Sequence, residues 1–232
     1  MTLNPVLTVG DQMVECLQAH TKISKVEGRR IALEKLKLVH IPSPEKRLDQ
    51  YPHELSGGMK QRIIIAIALL LNPDIIVADE PTTALDVTIQ AEIMDLLLEL
   101  CKSQNLGLIL ITHDLGVVSQ VTEQAIVMYA GRIIEQGPTK EIINDAQHPY
   151  TQGLINALPQ QGVPGERLNQ IRGSMPPLHR VPDGCAFHPR CDYADAICRS
   201  ELPGFTQSGG CQAACHLVAG RISPKPKAED KI

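Results

Sequence analysis

The sequence predicts an α/β protein built on a parallel β-sheet with helices on both faces. Two short aliphatic runs, residues 75–78 and 108–112, have the character of buried strands, and a segment with helical periodicity follows each of them. Strands without polar alternation are typical of parallel sheets that are covered on both sides. Aromatic residues make up only 3% of the chain and Trp is absent, so we expect a core of aliphatic side chains.

The remaining elements follow in chain order. Predicted helices cover residues 11–41, 59–69, 88–103, 115–121, 139–145 and 150–158. Pro42, Pro44 and Pro52 mark a loop after the first of them, and Asn72-Pro73 ends the second. Residues 125–129 and 132–135 flank Ala130-Gly131, a pattern that predicts an antiparallel hairpin at the edge of the sheet.

Changes in composition divide the chain into three predicted parts. Residues 1–55 form a helical subdomain, residues 56–158 form the α/β core, and residues 159–232 form a small Cys-rich C-terminal extension. The extension begins with a Gly- and Pro-rich linker at 159–184. It ends with a charged, proline-containing tail at 223–232 that we expect to be mobile.

Charge and hydropathy exclude several classes of function. A net charge of −4 provides no broad basic field, which argues against nucleic acid as a partner. The longest apolar run, residues 63–71, is too short to span a bilayer. The N-terminus has neither a basic n-region nor an apolar h-region, so no secretory signal is predicted and we expect a cytosolic protein.

Two segments carry the candidate chemistry. Leu55-Ser56-Gly57-Gly58-Met59-Lys60-Gln61 places a hydroxyl and two glycine N–H groups at a predicted helix start, a geometry suited to phosphate, although Ser-Gly-Gly also serves as a simple N-cap. Asp79 and Glu80 end the first strand, where one carboxylate can hold Mg²⁺ and the other can polarise a water molecule. An ordinary acidic loop is the alternative for Asp-Glu by itself.

A histidine completes this group of candidates. His113 follows the second strand, at the carboxyl end where ligands of open α/β sheets collect. A lone His after a strand is otherwise a common surface or capping residue.

The order of these motifs resembles the ABC-transporter ATPase family, with residues 55–61 as the signature motif, 75–80 as Walker B and 84–86 as the D-loop. The resemblance implies a P-loop NTPase (RecA-like) core that uses ATP and Mg²⁺. It assigns Asp79 to Mg²⁺, Glu80 to general-base catalysis and His113 to the γ-phosphate. It assigns contacts with an ATP held by a second subunit to the remaining residues of the motifs: Ser56, Gly57, Gly58, Gln61 and Asp86.

The 232 residues contain no G-x-x-x-x-G-K-[ST] phosphate loop. Thr2-Leu3-Asn4-Pro5 resembles the family's sequence just after the Q-loop glutamine, so we expect a chain that lacks the Walker A and Q-loop segments. Such a chain would complete a nucleotide pocket with a second ATPase subunit and would be inactive alone. The alternative is a non-enzymatic remnant that acts as a regulator or an iron–sulfur interaction module. A DNA-repair ATPase is excluded because no long heptad helices precede the signature.

Five of the seven cysteines lie between residues 185 and 215. In a reducing compartment such a cluster predicts metal or iron–sulfur ligation rather than disulfides, and the spacing leaves zinc and iron–sulfur both open.

Residues 183–191, Cys215-His216 and residues 148–151 (His-Pro-Tyr-Thr) resemble the C-terminal part of oligopeptide and dipeptide importer ATPases. That resemblance implies a [4Fe–4S] cluster on Cys185, Cys191, Cys198 and Cys215, with Cys211 as the spare. It also implies a second ATPase subunit, two membrane permease subunits, a periplasmic or extracellular solute-binding protein, and a peripheral location on the cytoplasmic face of the inner membrane. Dipeptides, longer peptides, nickel and heme-like solutes all stay open.

Overall fold

The computed structural model describes residues 2–83, 85–158 and 169–223. The chain forms two compact units, Met1–His113 and Asp114–Ile232. The predicted domain boundaries at 55/56 and 158/159 were based on sequence motifs, whereas these two units are defined by their compactness. The predicted boundaries therefore stay predictions. The first ten residues of the expected linker, and the expected mobile tail beyond Ser223, lie outside the described residues.

The first unit begins with helices α1 (Val9–His20), α2 (Lys25–Leu38) and α3 (Pro44–Arg47). The single helical stretch expected over 11–41 is therefore wrong, because the chain is interrupted at residues 21–24. The Thr21 hydroxyl donates to the Leu17 carbonyl at the end of α1, and the Ser24 side chain caps α2 by accepting from the Glu27 N–H.

The parallel sheet of the first unit is confirmed. A short 3₁₀ turn, Pro52–Glu54, leads into α4 (Gly57–Ala68), followed by β1 (Ile75–Asp79), α5 (Val87–Gln104) and β2 (Gly107–Ile111). Strands β1 and β2 pair in parallel, from Ile75 opposite Gly107 to Asp79 opposite Ile111. This register brings the carboxyl ends of both strands to the same edge.

The two faces of this sheet differ. Ile76 is buried and Leu108 is partly buried, whereas Val77 and Ile109, paired on the other face, are 60% and 51% exposed. Successive side chains of a strand point to opposite faces, so one face packs against the unit and the other remains open. Among the described residues, the side chains on that second face of β1 and β2 are therefore accessible to solvent.

The second unit contains α6 (Leu115–Val121), β3 (Gln124–Tyr129), β4 (Arg132–Pro138), α7 (Thr139–Asn144) and α8 (Pro149–Asn156). After residue 169 come two 3₁₀ turns, Leu178–Arg180 and His188–Arg190, then α9 (Ala196–Ser200), β5 (Phe205–Ser208) and β6 (Cys211–Ala214).

Strands β3–β6 form an antiparallel sheet in the order β3-β4-β6-β5. The predicted hairpin β3–β4 exists, but its placement at the edge of the parallel sheet is wrong. Strand β4 instead pairs with β6, with Glu135 opposite Ala213 and Gln136 opposite Gln212.

The core of the second unit is partly aromatic, contrary to the expected aliphatic core. The ring centroids of Tyr129 and Phe187 lie 5.3 Å apart, and Tyr150 lies 4.8 Å from Tyr129 and 5.4 Å from Phe187. The Arg190 guanidinium lies 5.9 Å from the Tyr129 and Phe187 centroids. Three of the six aromatic residues of the chain meet here, so a low overall content did not predict their local role.

No helix in residues 2–83, 85–158 and 169–223 is long and apolar enough to cross a bilayer.

Candidate functional site

The predicted catalytic residues Glu80 and His113 are in direct contact. Glu80 follows the last residue of β1, and its backbone N–H donates to the carbonyl of Ile111 at the end of β2, at 2.9 Å. The His113 Nδ1 lies 2.7 Å from Glu80 Oε1, and the Thr83 hydroxyl donates to Glu80 Oε2 at 3.1 Å. Parallel pairing thus brings together two residues that are 33 positions apart.

The charge of Glu80 is stabilised by these partners. The hydrogen bond from His113 lowers the pKa of the Glu80 carboxyl, and the weaker bond from Thr83 lowers it further. Glu80 is accordingly a carboxylate at neutral pH, the form that a general base requires. The side chains remain accessible to a substrate, at 84% exposure for His113 and 37% for Glu80.

The backbone at Glu80 adopts a left-handed conformation, with φ of +48°. Outside glycine this region costs about 1–2 kcal/mol, and such residues cluster at functional sites. The turn directs the Glu80 side chain back toward His113, while Asp79, the preceding residue, is exposed at the strand end. Asp79 and Glu80 therefore offer two carboxylates in different surroundings at one sheet edge.

Ser56 is the N-cap of α4, and its hydroxyl accepts from the Met59 N–H at 3.3 Å. The capping interpretation of Ser56 is therefore correct as a structural statement, and it does not exclude phosphate contact. Gln61 is half-buried one turn further along α4.

The signature glycines meet the D-loop region of the same unit. A Cβ on Gly58 would lie 2.8 Å from Ile89 Cγ2, and one on Gly57 would lie 3.3 Å from Leu85 Cδ2. Asp86 begins α5 by accepting from the Ile89 N–H at 2.9 Å. Close packing is thus one reason for glycine at position 58, in addition to the phosphate approach that the motif suggested. Ala84 of the D-loop lies outside the described residues.

The four predicted cluster ligands of the second unit line one recess. Cys185, Cys191, Cys198 and Cys215 border a narrow space with a cavity volume of about 10 Å³. Three histidines line the same space: His148, His188 and His216. We call this space the cysteine recess. Cys211 is not among its lining residues and lies in β6 against Gly137.

Backbone contacts hold the cysteines of the recess together. The Cys185 N–H donates to the Cys198 carbonyl at 2.9 Å. Gly184 allows this approach, because its φ is +67° and a Cβ there would lie 2.5 Å from the Cys198 carbonyl oxygen. The segment Asp183-Gly184-Cys185 therefore needs glycine for both its conformation and its closeness to α9.

The recess is poorly suited to isolated negative charge. Burial raises the pKa of Cys185 and Cys215, and raises the pKa of Cys191 to about 12, with the neighbouring thiols adding to each effect. Among the described residues, no group of three or more His, Cys, Asp or Glu side chains has the arrangement of a metal site. The expected [4Fe–4S] ligand set is therefore not confirmed and stays a proposal.

The sequence did not predict that Glu135 fixes the position of His148 beside the recess. Glu135 is fully buried and accepts from the backbone N–H groups of Gln147 (2.6 Å) and His148 (3.0 Å). Burial lowers the pKa of His148 to about 4, so its ring is neutral at neutral pH. His148-Pro149 at a helix start could have indicated a cap, whereas nothing in the sequence pattern indicated Glu135.

Two family models match the chain. The ABC transporter model matches residues 1–83, and the oligopeptide/dipeptide transporter C-terminal region matches residues 134–198. Among solved structures, the chain is similar to the dimeric bacterial ABC transporter cassette MJ0796, with 34% identity, a TM-score of 0.51 and 59% of each chain covered. It is also similar to cbiO1 of Clostridium perfringens, with 34% identity and a TM-score of 0.53 over 62% of this chain and 55% of that one. The chain belongs to the ABC transporter family of ATP-binding proteins.

Individual relatives of known name show which members of the ABC transporter family the chain is similar to. The chain is 49% identical to the dipeptide transport ATP-binding protein DppD of Haemophilus influenzae, over 93% of this chain and 65% of that protein. It is 52% identical to DppD of Bacillus subtilis, over 88% of this chain and 61% of that protein. The chain thus spans a little under two thirds of the length of these relatives.

Proposed function

We propose that this chain is the ATP-binding subunit of an ABC importer for dipeptides or oligopeptides, and that ATP hydrolysis at its site is coupled to solute uptake. The names of the relatives and the match to the transporter C-terminal region support the solute class. The contact between Glu80 Oε1 and His113 Nδ1, at 2.7 Å, is the observation that carries the ATPase chemistry.

Glu80, His113 and Asp79, at the edge of the parallel sheet, have different roles in ATP hydrolysis. Glu80 is the general base that accepts a proton from the attacking water, and its lowered pKa keeps it ionised for that task. His113 orients Glu80 and faces the phosphate to be cleaved. Asp79, an exposed carboxylate at the strand end, would hold Mg²⁺, which supplies charge neutralisation to the phosphates.

The signature segment serves a second nucleotide site. Ser56, Gly57 and Gly58 are exposed or half-buried at the start of the twelve-residue helix α4, where N–H groups and the helix dipole favour a phosphate. We assign them, with Gln61 and Asp86, to contact with an ATP whose phosphate loop lies outside these 232 residues. The second ATPase subunit of the importer is the proposed partner at this surface.

The further partners follow from the same assignment. Two membrane permease subunits and an extracytoplasmic solute-binding protein complete the importer, and this chain acts peripherally on the cytoplasmic face of the membrane. The Mg²⁺-dependent step takes place in that assembly.

We also propose that the cysteine recess holds a [4Fe–4S] cluster on Cys185, Cys191, Cys198 and Cys215. Four thiols that line one recess match the ligand number and type of such a cluster, which would supply redox or structural chemistry there. Iron is favoured over zinc because the three intervals between these ligands contain no C-x₂₋₄-C pair. Elemental analysis of anaerobically purified protein tests this, and zinc without iron would contradict it.

The ATPase proposal is tested in the assembled importer, reconstituted with its partner ATPase and permease subunits. We expect Glu80→Gln to reduce ATP turnover by about 10²- to 10⁴-fold, because the general base is lost. Glu99→Gln is the matched control, since Glu99 is also an exposed acid near a histidine, 3.7 Å from His40. Wild-type turnover in Glu80→Gln would contradict the proposal.

Solute class requires a separate measurement. Cells that lack their own dipeptide uptake, and that express the complete importer, are assayed with a labelled dipeptide and with labelled nickel. We expect Glu80-dependent uptake of the dipeptide. Uptake of nickel alone would retain the ATPase assignment and overturn the peptide assignment.

A further inference from the structure

One ring nitrogen beside the cysteine recess has no hydrogen-bond partner. Among the buried side-chain nitrogen and oxygen atoms of the described residues, only His148 Nε2 and Thr151 Oγ1 lack one. His148 is 1% exposed, and its Nδ1 accepts from the Tyr150 N–H at 3.0 Å. Because Nδ1 is an acceptor in a neutral ring, the proton is on Nε2. His148 therefore carries a buried N–H donor without an acceptor, which is unfavourable unless something else occupies the site.

The ring that carries this donor lines the recess shared by the four cysteines. The other two histidines of the recess each donate a ring N–H to a backbone carbonyl oxygen, whereas the ring nitrogen that His148 uses is an acceptor. His188 Nδ1 lies 3.0 Å from the Cys185 carbonyl oxygen, and His216 Nε2 lies 3.0 Å from the Glu201 carbonyl oxygen. His148 is thus the histidine with a buried donor left over for the recess.

The position of His148 is fixed from two sides. The Glu135 carboxylate accepts from the backbone N–H groups of Gln147 and His148, and Glu135 is itself fully buried. The Phe187 ring packs against the imidazole, with centroids 5.8 Å apart. A donor held in this way loses little entropy when it binds an acceptor, so it is preorganised.

We propose that His148 is a positioning and tuning residue of the cysteine centre, whose Nε2–H donates a hydrogen bond to a sulfur of the bound [4Fe–4S] group. This inference rests on the cluster proposed above. Ligand thiolates and cluster sulfides carry negative charge, and hydrogen bonds to sulfur are one of the factors that set the potential. The donor stabilises the more negative, reduced state, so it raises the midpoint potential.

The test uses the full chain purified anaerobically, with iron and sulfide quantified and the midpoint potential measured by redox titration followed by EPR. His148→Asn keeps an N-cap acceptor for the Tyr150 N–H but has no atom at the Nε2 position. We expect it to retain iron and to shift the potential in the negative direction. His148→Gln reaches further and places an amide N–H near that position, so it should restore most of the wild-type potential.

A second measurement does not depend on how a variant folds. Pulsed EPR of the reduced wild-type protein, labelled with ¹⁵N-histidine, should show a weak nitrogen coupling through the hydrogen bond. An iron-loaded wild-type protein without that coupling, or an unchanged potential in iron-loaded His148→Asn, would overturn this inference and leave the cluster standing. Absence of iron from the wild-type protein would overturn the cluster, and the inference with it.

Discussion

The Glu80 carboxylate and the His113 imidazole lie 2.7 Å apart because the strands that precede them are parallel and end at one edge of the sheet. The contact is exposed, so it can open when a substrate arrives. Thr83, three residues after Glu80, occupies the other carboxylate oxygen. Both oxygens of Glu80 are therefore engaged by partners that favour its ionised form.

Replacement of His113 should change the titration of Glu80. Since the His113 hydrogen bond favours the carboxylate, His113→Ala should raise the pKa of Glu80 toward its ordinary value. Because the pKa of Glu80 is lowered in the folded protein, this contact stabilises the fold above the ordinary pKa of Glu. That stabilisation is lost as the pH falls through the lowered pKa. A ¹³C NMR titration of the Glu80 carboxyl measures the shift. His40→Ala, which removes the histidine of another exposed Glu–His pair, is the control. An unchanged Glu80 titration in His113→Ala would show that the contact is absent in solution.

The signature glycines should respond unequally to a methyl group. A Cβ at Gly58 meets the stiff Ile89 Cγ2 at 2.8 Å, whereas one at Gly57 meets the flexible end of Leu85 at 3.3 Å. Overpacking costs about 1–3 kcal/mol, and alanine regains about 0.5–1 kcal/mol of helix preference. We expect Gly58→Ala to lower the free energy of unfolding by about 1–2 kcal/mol, and Gly57→Ala to leave it nearly unchanged.

Denaturant unfolding followed by circular dichroism measures both variants. The double variant Gly58→Ala/Ile89→Ala should lose less free energy of unfolding than the two single variants lose in total. The reason is that Ile89→Ala removes the methyl group that clashes with the new Cβ. Strict additivity would show that Ile89 is not what makes glycine necessary at position 58.

The first unit could be predicted well because its signals are local. Aliphatic runs indicated β1 and β2, and Asn72-Pro73 indicated the break between α4 and β1, although α4 itself ends at Ala68. Glu80 and His113 each follow one of two parallel strands, so the strand ends alone predicted that both lie at the same edge of the sheet. The interruption between α1 and α2 was missed because its signal, the Ser24 cap, lies inside a stretch with continuing helical periodicity.

The second unit could not be predicted to the same degree because its contacts are between distant segments. The residues of β5 and β6 show no clear alternation of apolar and polar side chains. They become strands because β6 pairs with β4 and β5 pairs with β6. The resemblance to importer ATPases pointed to the four cysteines that line the recess. His148, which also lines it, lies before the linker, and Glu135 holds the backbone of His148. Only tertiary structure shows that His148 belongs to the recess and that Glu135 supports it.

Glycine at position 184 should be necessary for the cysteine recess. Gly184→Ala imposes a positive φ on alanine, which costs about 1–2 kcal/mol, and places a Cβ 2.5 Å from the Cys198 carbonyl oxygen. We expect a clear loss of stability and of iron content, because Cys185 and Cys198 are forced apart. Gly220→Ala is the matched control, since its φ is +68° but nothing lies within 4 Å of the added Cβ. Equal effects of the two substitutions would mean that conformation alone, and not closeness, explains Gly184.

The buried carboxylate of Glu135 should stabilise the second unit by holding the start of α8. Glu135→Ala removes the acceptor of the Gln147 and His148 N–H groups. Because a buried donor without a partner costs about 1–3 kcal/mol, we expect the free energy of unfolding to fall by about 2–4 kcal/mol. Glu135→Gln keeps one oxygen and should lose less. Thermal and denaturant unfolding of both variants measure this difference, and the exposed Glu123→Ala is the control. If Glu135→Ala were as stable as Glu123→Ala, water would have to satisfy both N–H groups, and α8 would not depend on Glu135 for the position of His148.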